Sequence, residues 1–114
     1  MSEEDKLQSE CVKWFRYQYP KLKKLLFHVP NGGSRNKIEA KKLKDMGVVP
    51  GVGDLILLIS KHGFGALCIE MKTPSREQSP SQEEWEKEVT AAGNMYVLCR
   101  SFDEFEKTIK NYLS

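Results

Sequence analysis

Two apolar runs, Asp54–Ile59 and Ala66–Lys72, flank Ser60-Lys61-His62-Gly63-Phe64-Gly65, and this pattern dictates a β-hairpin. A loop centred on His62 sets Asp54 opposite Glu70, which places their Cβ atoms about 5 Å apart on one face of the pair. Two carboxylates at that distance repel by roughly 3 kcal/mol at an effective dielectric of about 20, so a positive charge is needed between them. Period two puts Lys72 on the face of Glu70 and turns Leu67, Ile69 and Met71 to the opposite face, where they supply core. A lysine there can serve as a plain salt bridge. Asp, Glu and Lys converging at one end of a hairpin, beside Gly51 and Gly53 that permit close approach, are also the parts of metal-assisted phosphodiester cleavage. The carboxylates suit a hard divalent cation such as Mg²⁺ or Mn²⁺. The lysine suits orientation of the attacking water or stabilisation of developing charge.

The rest of the chain reads as elements built around that hairpin. Ser2, with Asp5 three residues on, starts a helix that runs from about Glu3 to Tyr19 and stops before Pro20. Leu7, Cys11, Trp14, Phe15 and Gln18 form its buried stripe, and Glu10 falls at the flank of that stripe rather than opposite it. Leu25–Val29 is a short strand ended by the turn-forming Pro30-Asn31-Gly32-Gly33. A basic helix spans Lys37 to Met46 and ends at Gly47. Ser79-Pro80-Ser81-Gln82 opens a further helix, with Ser at the cap, Pro first and Gln three residues after the cap. Trp85, Val89 and Ala92 continue its face to Gly93. Asn94–Leu98 is the last strand, and Ser101 with Glu104 caps a last helix bearing Phe102, Phe105, Ile109 and Leu113. The order α-β-α-β-β-α-β-α predicts an α/β domain, a mixed sheet with helices on both faces.

Charge is unevenly spread. The formal total over 114 residues is +2, yet Lys13–Lys44 holds ten basic residues against the single acid Glu39, so this stretch carries +9 and the remainder −7. A charge run can be merely a solvated face. Spread over two helices and the loop between them, the asymmetry fits a surface that meets a polyanion, foremost nucleic acid. Cys11, Cys68 and Cys99 are far apart and never spaced Cys-x-x-Cys, which points to small core residues rather than a disulfide framework or zinc site. The longest apolar run, Leu55–Ile59, is far short of a membrane span, and the acidic start Ser2-Glu3-Glu4-Asp5 does not read as a signal or transit peptide. A single cytoplasmic domain over residues 1–114 is the expectation.

Pro50-Gly51-Val52-Gly53-Asp54, then fifteen residues, then Glu70-Met71-Lys72, resembles the Asp…Glu-x-Lys signature of the PD-(D/E)XK nucleases. Flanking features narrow the resemblance to the VRR-NUC (virus-type replication-repair nuclease) group. They are Glu10 in the first helix, Pro30-Asn31-Gly32-Gly33, the basic helix leading to Gly47-Val48-Val49-Pro50-Gly51, and Gln82 with Trp85 after the Glu-x-Lys strand. The resemblance covers nearly the whole chain and departs from the group at Gly53, where Pro usually precedes the Asp. It implies a restriction-endonuclease-like mixed sheet of about four strands flanked by helices. It further implies Asp54, Glu70 and the Met71 backbone carbonyl as ligands of Mg²⁺ or Mn²⁺, and Lys72 as the catalytic lysine. Glu10 and Gln82 would complete the catalytic set, Glu10 through a metal-bound water. The activity implied is a metal-dependent DNA endonuclease selective for branched DNA, similar to Holliday-junction resolvases that work as homodimers, with no nucleotide cofactor and no membrane.

Other residues admit two readings. Gln82 is explained equally by its cap. His28 reads as a strand residue with a satisfied ring, His62 as a loop tip, and Trp14 and Trp85 as core. Asn31 and Arg35, with Lys37, Lys41, Lys42 and Lys44, are the candidates for nucleic-acid contact. Two other functions stay open: a nucleic-acid-binding protein with an inactive or structural acid cluster, and an interaction domain whose basic stretch binds an acidic protein.

Overall fold

In the computed structural model, residues 1–30 and 37–114 are described, with the backbone alone for Lys37. The elements are α1 (Glu3–Gln18), β1 (Leu26–His28), α2 (Lys37–Asp45), β2 (Leu55–Leu57), β3 (Leu67–Met71), α3 (Pro80–Ala91), β4 (Met95–Cys99) and α4 (Phe102–Leu113). This is the expected succession, to which a 3₁₀ turn at Pro20–Leu22 is added. The Ser2 hydroxyl accepts from the Asp5 N–H at 3.1 Å, which starts α1 as its sequence predicts. Pro20 lacks the N–H that a continuing helix would use, so the chain tightens into the 3₁₀ turn before entering β1.

The four strands form one sheet in the order β1-β2-β3-β4. β1 pairs antiparallel with β2 and β2 antiparallel with β3, and β4 joins β3 in parallel after the α3 crossover. Leu55 pairs with Ile69 and Leu57 with Leu67. Extending that register by one residue sets Asp54 opposite Glu70, as expected from the sequence. His62 (φ 54) and Gly63 (φ 83) form a two-residue turn between Lys61 and Phe64, whose backbones bond in both directions. Such left-handed turns match the twist of the strands they join. Between this turn and the ladder the three residues 58–60 stand against the two residues 65–66, so one extra residue on the β2 side sets the register of Leu57 with Leu67.

Leu55, Leu57, Leu67, Ile69 and Met71 meet Cys11 and Phe15 of α1 and Phe105, Ile109 and Tyr112 of α4 in one core. Each such large side chain, fully buried, contributes about 1.5–3 kcal/mol. Trp14 packs edge-on against Phe102 and Phe105 of α4, and Trp85 of α3 against Tyr96 of β4. Tyr96 alternates with the core-facing Val97, so α3 covers the sheet face opposite α1 and α4. Both tryptophans are therefore packing residues. The three cysteines are buried and unbridged, and burial pushes the Cys11 thiol up to about 12 and that of Cys99 to about 11. They are protonated core residues, not nucleophiles.

α2 differs from the other helices. Among its described side chains only Leu43 is even partly buried, and Lys41, Lys42 and Lys44 face solvent. Among the described residues, no helix is long and apolar enough to cross a membrane.

Candidate active site

The hairpin register and the N-terminus of α3 bring the site together at one end of the sheet. Gly51 has φ +82, and a Cβ placed there would lie 2.2 Å from the Ser81 carbonyl oxygen. Only glycine fits this contact, which locks the segment before Asp54 onto the start of α3. Gly53 has its Cα wedged between the Ile69 backbone and the Trp85 ring, each 3.3 Å from an added Cβ. Asp54 is thus delivered beside β3, where its Oδ2 accepts the Met71 N–H at 2.7 Å.

Glu70 is the unusual residue. It is 1% exposed, in the middle of a strand buried on both faces. Its Oε2 accepts from Gln82 Nε2 at 3.1 Å, while its Oε1 is buried without a hydrogen-bond partner. Burial first, and then Asp54 beside it, push its carboxyl up to about 9, against a smaller opposing effect of Lys72. Leaving a buried carboxylate oxygen unpaired costs on the order of 1–3 kcal/mol or more, so the arrangement is costly unless a proton or a cation completes it.

Gln82 performs both tasks left open by the sequence. Its Oε1 accepts the Ser79 N–H at 2.8 Å in a full capping box, and that bond orients the amide so that Nε2 faces Glu70. The cap and the site contact are one structure.

The helix-one acid requires a correction. Glu10, the residue implied by the resemblance, is exposed, whereas Glu4 has a carboxylate oxygen within 4.8 Å of those of Asp54 and Glu70. Six residues of α-helix separate the two glutamates by about 9 Å of rise and two-thirds of a turn, so both cannot face one point. Desolvation, then Asp54, raise the Glu4 carboxyl, and Lys72 and Arg76 pull it down. The sequence carries only the helical face of Glu4, which lies three residues before Leu7 and seven before Cys11, in line with the buried stripe.

Lys72 is 7% exposed, and its charge acts on both Glu70 and Glu4. A cleft of 450 Å³ lined by Ser2, Glu3, Glu4, Thr73, Ser75 and Arg76 opens beside the cluster. Its far wall is held by Arg100, whose guanidinium donates to the carbonyls of Thr73, Pro74 and Arg76. Sequence reasoning missed Arg100, which carries no motif. The His28 ring nitrogen Nδ1 lies 2.8 Å from the Asp54 carbonyl oxygen and 2.9 Å from Gln8 Nε2. Nδ1 makes one of these bonds at a time, and as the N–H tautomer it donates to the Asp54 carbonyl and braces the backbone there. His62, at the hairpin tip, contacts the Tyr112 carbonyl at 3.0 Å, remote from the cluster.

Asn31, Arg35 and the Lys37 side chain, with most of the Pro30–Gly33 turn, lie outside the described residues. Lys42 and Lys44 are exposed on α2, and Lys41 there pairs with Asp45 at 3.0 Å.

A four-strand mixed sheet flanked by helices, with a buried glutamate, two half-buried acids and a buried lysine gathered at one end, defines a nuclease-type α/β domain. The VRR-NUC domain model matches residues 2–103, and the chain belongs to that family. A solved structure described as a "VRR_NUC domain protein" is 28% identical, superposes with a TM-score of 0.86, and covers 99% of this chain and 89% of its own. No curated protein matches.

Three carboxylates of hard oxygen donors, one with an unpartnered buried oxygen, fit a divalent cation. Glu4, Asp54 and Glu70 are the residues that would hold it.

Proposed function

We propose that this chain is a divalent-metal-dependent endonuclease that hydrolyses DNA phosphodiesters. The observation that carries the reading is the unpartnered Glu70 Oε1 set among Asp54, Glu4 and Lys72. When bound, Mg²⁺ or Mn²⁺ supplies Lewis-acid polarisation of a phosphoryl oxygen and lowers the pKa of the attacking water. The chain's own residues prepare for this. The Met71 N–H anchors Asp54 through Oδ2, and Gln82 anchors Glu70 through Oε2, so neither carboxylate must reorganise during the reaction. The Met71 carbonyl completes the proposed ligand set. Lys72 donates a charged hydrogen bond to the oxygen on which negative charge accumulates. The exposed basic side chains of α2 hold the polyanion by its phosphates. The finer reading is selectivity for branched DNA by a homodimer, two copies making paired cuts.

The test is incubation of the purified protein with four-way junction, flap and linear DNA in Mg²⁺ or Mn²⁺, beside an EDTA control and Asp54→Asn. Cation-dependent cutting, reduced at least about a hundredfold in the variant, is expected. Salt-sensitive binding with no cutting under any cation would instead establish a binding protein with an inert acid cluster. The corrected assignment of the helix-one acid has its own contrast. Glu4→Gln is expected to weaken Mn²⁺ affinity by at least about tenfold, since lesser outer contacts already cost that much. Glu10→Gln leaves both Mn²⁺ titration and cleavage as in the wild type, and equal losses in the two variants would reverse the assignment.

A further inference from the structure

Phe27 is 41% exposed on the edge strand β1, an odd place for a phenylalanine in a domain whose other phenylalanines are packed. A single exposed ring would need no explanation. Its setting does. A cleft of 440 Å³ runs along this edge, lined by Phe27, Arg16, Lys23, Lys24 and Leu26, with three cations and no carboxylate among the described lining residues. Phe27 pairs with Ile56, which shares its sheet face with Asp54 two residues before it. The Val29 N–H donates to the Asp54 carbonyl, so Val29 stands opposite Asp54 and Phe27 is the diagonal neighbour. That geometry sets Phe27 about 7–8 Å from the proposed metal ligand, on the same face. Because Leu58 bonds to Leu25 and Val29 to Asp54, strand alternation turns the amides of Leu26 and His28 away from β2, onto the cleft side. An aromatic face, three cations and outward amides along one groove are what an unpaired nucleic-acid strand requires.

We infer that the Phe27 cleft seats an unpaired stretch of the DNA strand next to the scissile phosphate. Phe27 stacks on a base, and Arg16, Lys23 and Lys24 follow the phosphates. This rests on the nuclease reading and deepens it: the substrate is DNA with a single-stranded arm at the cut, not continuous duplex. Duplex cannot use the ring, since its bases are already stacked.

The experiment uses the wild-type protein with Ca²⁺ in place of Mg²⁺, so that binding is read without cleavage. The two probes are a splayed-arm DNA carrying 5-iododeoxyuridine at the first unpaired positions and a blunt duplex of the same sequence. On irradiation the wild type is expected to form a cross-link that peptide mass spectrometry maps to Phe27. Phe27→Leu, which keeps the apolar bulk, loses that cross-link and binds the splayed DNA about fivefold to a hundredfold more weakly, the range one lost stack spans, with the duplex unaffected. Phe27→Trp restores both. A cross-link elsewhere, equal losses on the two probes, or no binding to either would overturn the inference. If Phe27-dependent cross-linking occurs but Mg²⁺ supports no cutting, the nuclease reading fails, and with it the scissile phosphate, while the single-strand seat at Phe27 stands. If the protein cuts splayed DNA and Phe27→Leu binds it like the wild type, only this one fails.

Discussion

Glu70→Gln is expected to abolish cleavage, by about a thousandfold or more, while freeing the cation-free protein from a dependence on pH. The loss of activity follows from removing a charged ligand whose cation supplies several kcal/mol to the transition state, each 1.4 kcal/mol being tenfold in rate. The stability effect follows from linkage. In the unfolded chain the carboxyl titrates near its ordinary value of 4.5, and in the fold burial and Asp54 push it up to about 9. Between those values the folded state holds a proton that the unfolded state releases. The stabilisation is therefore complete below about 4.5 and is lost as pH rises through about 9. From pH 5.5 to 8.5 in EDTA the wild type should lose on the order of 2–4 kcal/mol, at a limit of about 1.4 kcal/mol per unit. Glu70→Gln, neutral throughout, should lose much less. MgCl₂ or MnCl₂ replaces the proton as the partner of Glu70 and should restore the wild type at pH 8.5 but not the variant. Urea unfolding at the two pH values, with and without cation, measures all of this. A wild-type stability indifferent to both pH and cation would remove the case for a cation at Glu70.

Lys72→Ala should lower kcat by about a hundredfold to a thousandfold, the usual cost of one preorganised donor to developing charge. KM for DNA should stay within about threefold, because the buried ammonium adds little to a surface already basic. The decisive readout is Mn²⁺ affinity. Lys72 lies near enough to Glu70 and Glu4 to lower both carboxyls, so its charge also opposes a bound cation. Its removal should leave Mn²⁺ affinity unchanged or tightened. If the lysine serves only as a salt bridge, the variant keeps its activity in saturating Mn²⁺ and loses stability in EDTA alone.

How much of this site was legible in the sequence varied with how local each contact is. Asp54 opposite Glu70, and Lys72 on the same face, followed from a turn and a period of two, and the observed ladder of Leu55 with Ile69 agrees. Gln82 was legible as a cap but divided between two roles. The fold unites them, because an amide has an acceptor at one end and donors at the other, and the Ser79 bond uses only the acceptor. Arg100 was not legible, since its three carbonyl acceptors lie in the 73–76 loop, 24 to 27 residues away, which no periodicity links to it.

Helix one marks the boundary most clearly. Its existence, its Ser2 cap and its stripe from Leu7 to Phe15 are properties of consecutive residues, and the sequence alone determined them, whereas Gln18, expected on that stripe, is exposed where the helix ends. Likewise the hairpin, its register, the succession of elements and the concentration of basic charge in Lys13–Lys44 were all present in the order of residues. Which glutamate on α1 reaches the acids was decided only when the helix packed across the sheet. That placement depends on how Cys11 and Phe15 seat against Ile69, Met71 and the α4 side chains, which fixes both the axial position and the rotation of the helix, and Glu4 and Glu10 differ in both. The tertiary structure likewise placed Phe27 beside Asp54, because the pairing of β1 with β2 crosses a long connection whose geometry no local pattern sets. Backbone periodicity acts over a few residues, whereas the relative placement of elements is set by the packing of the whole core.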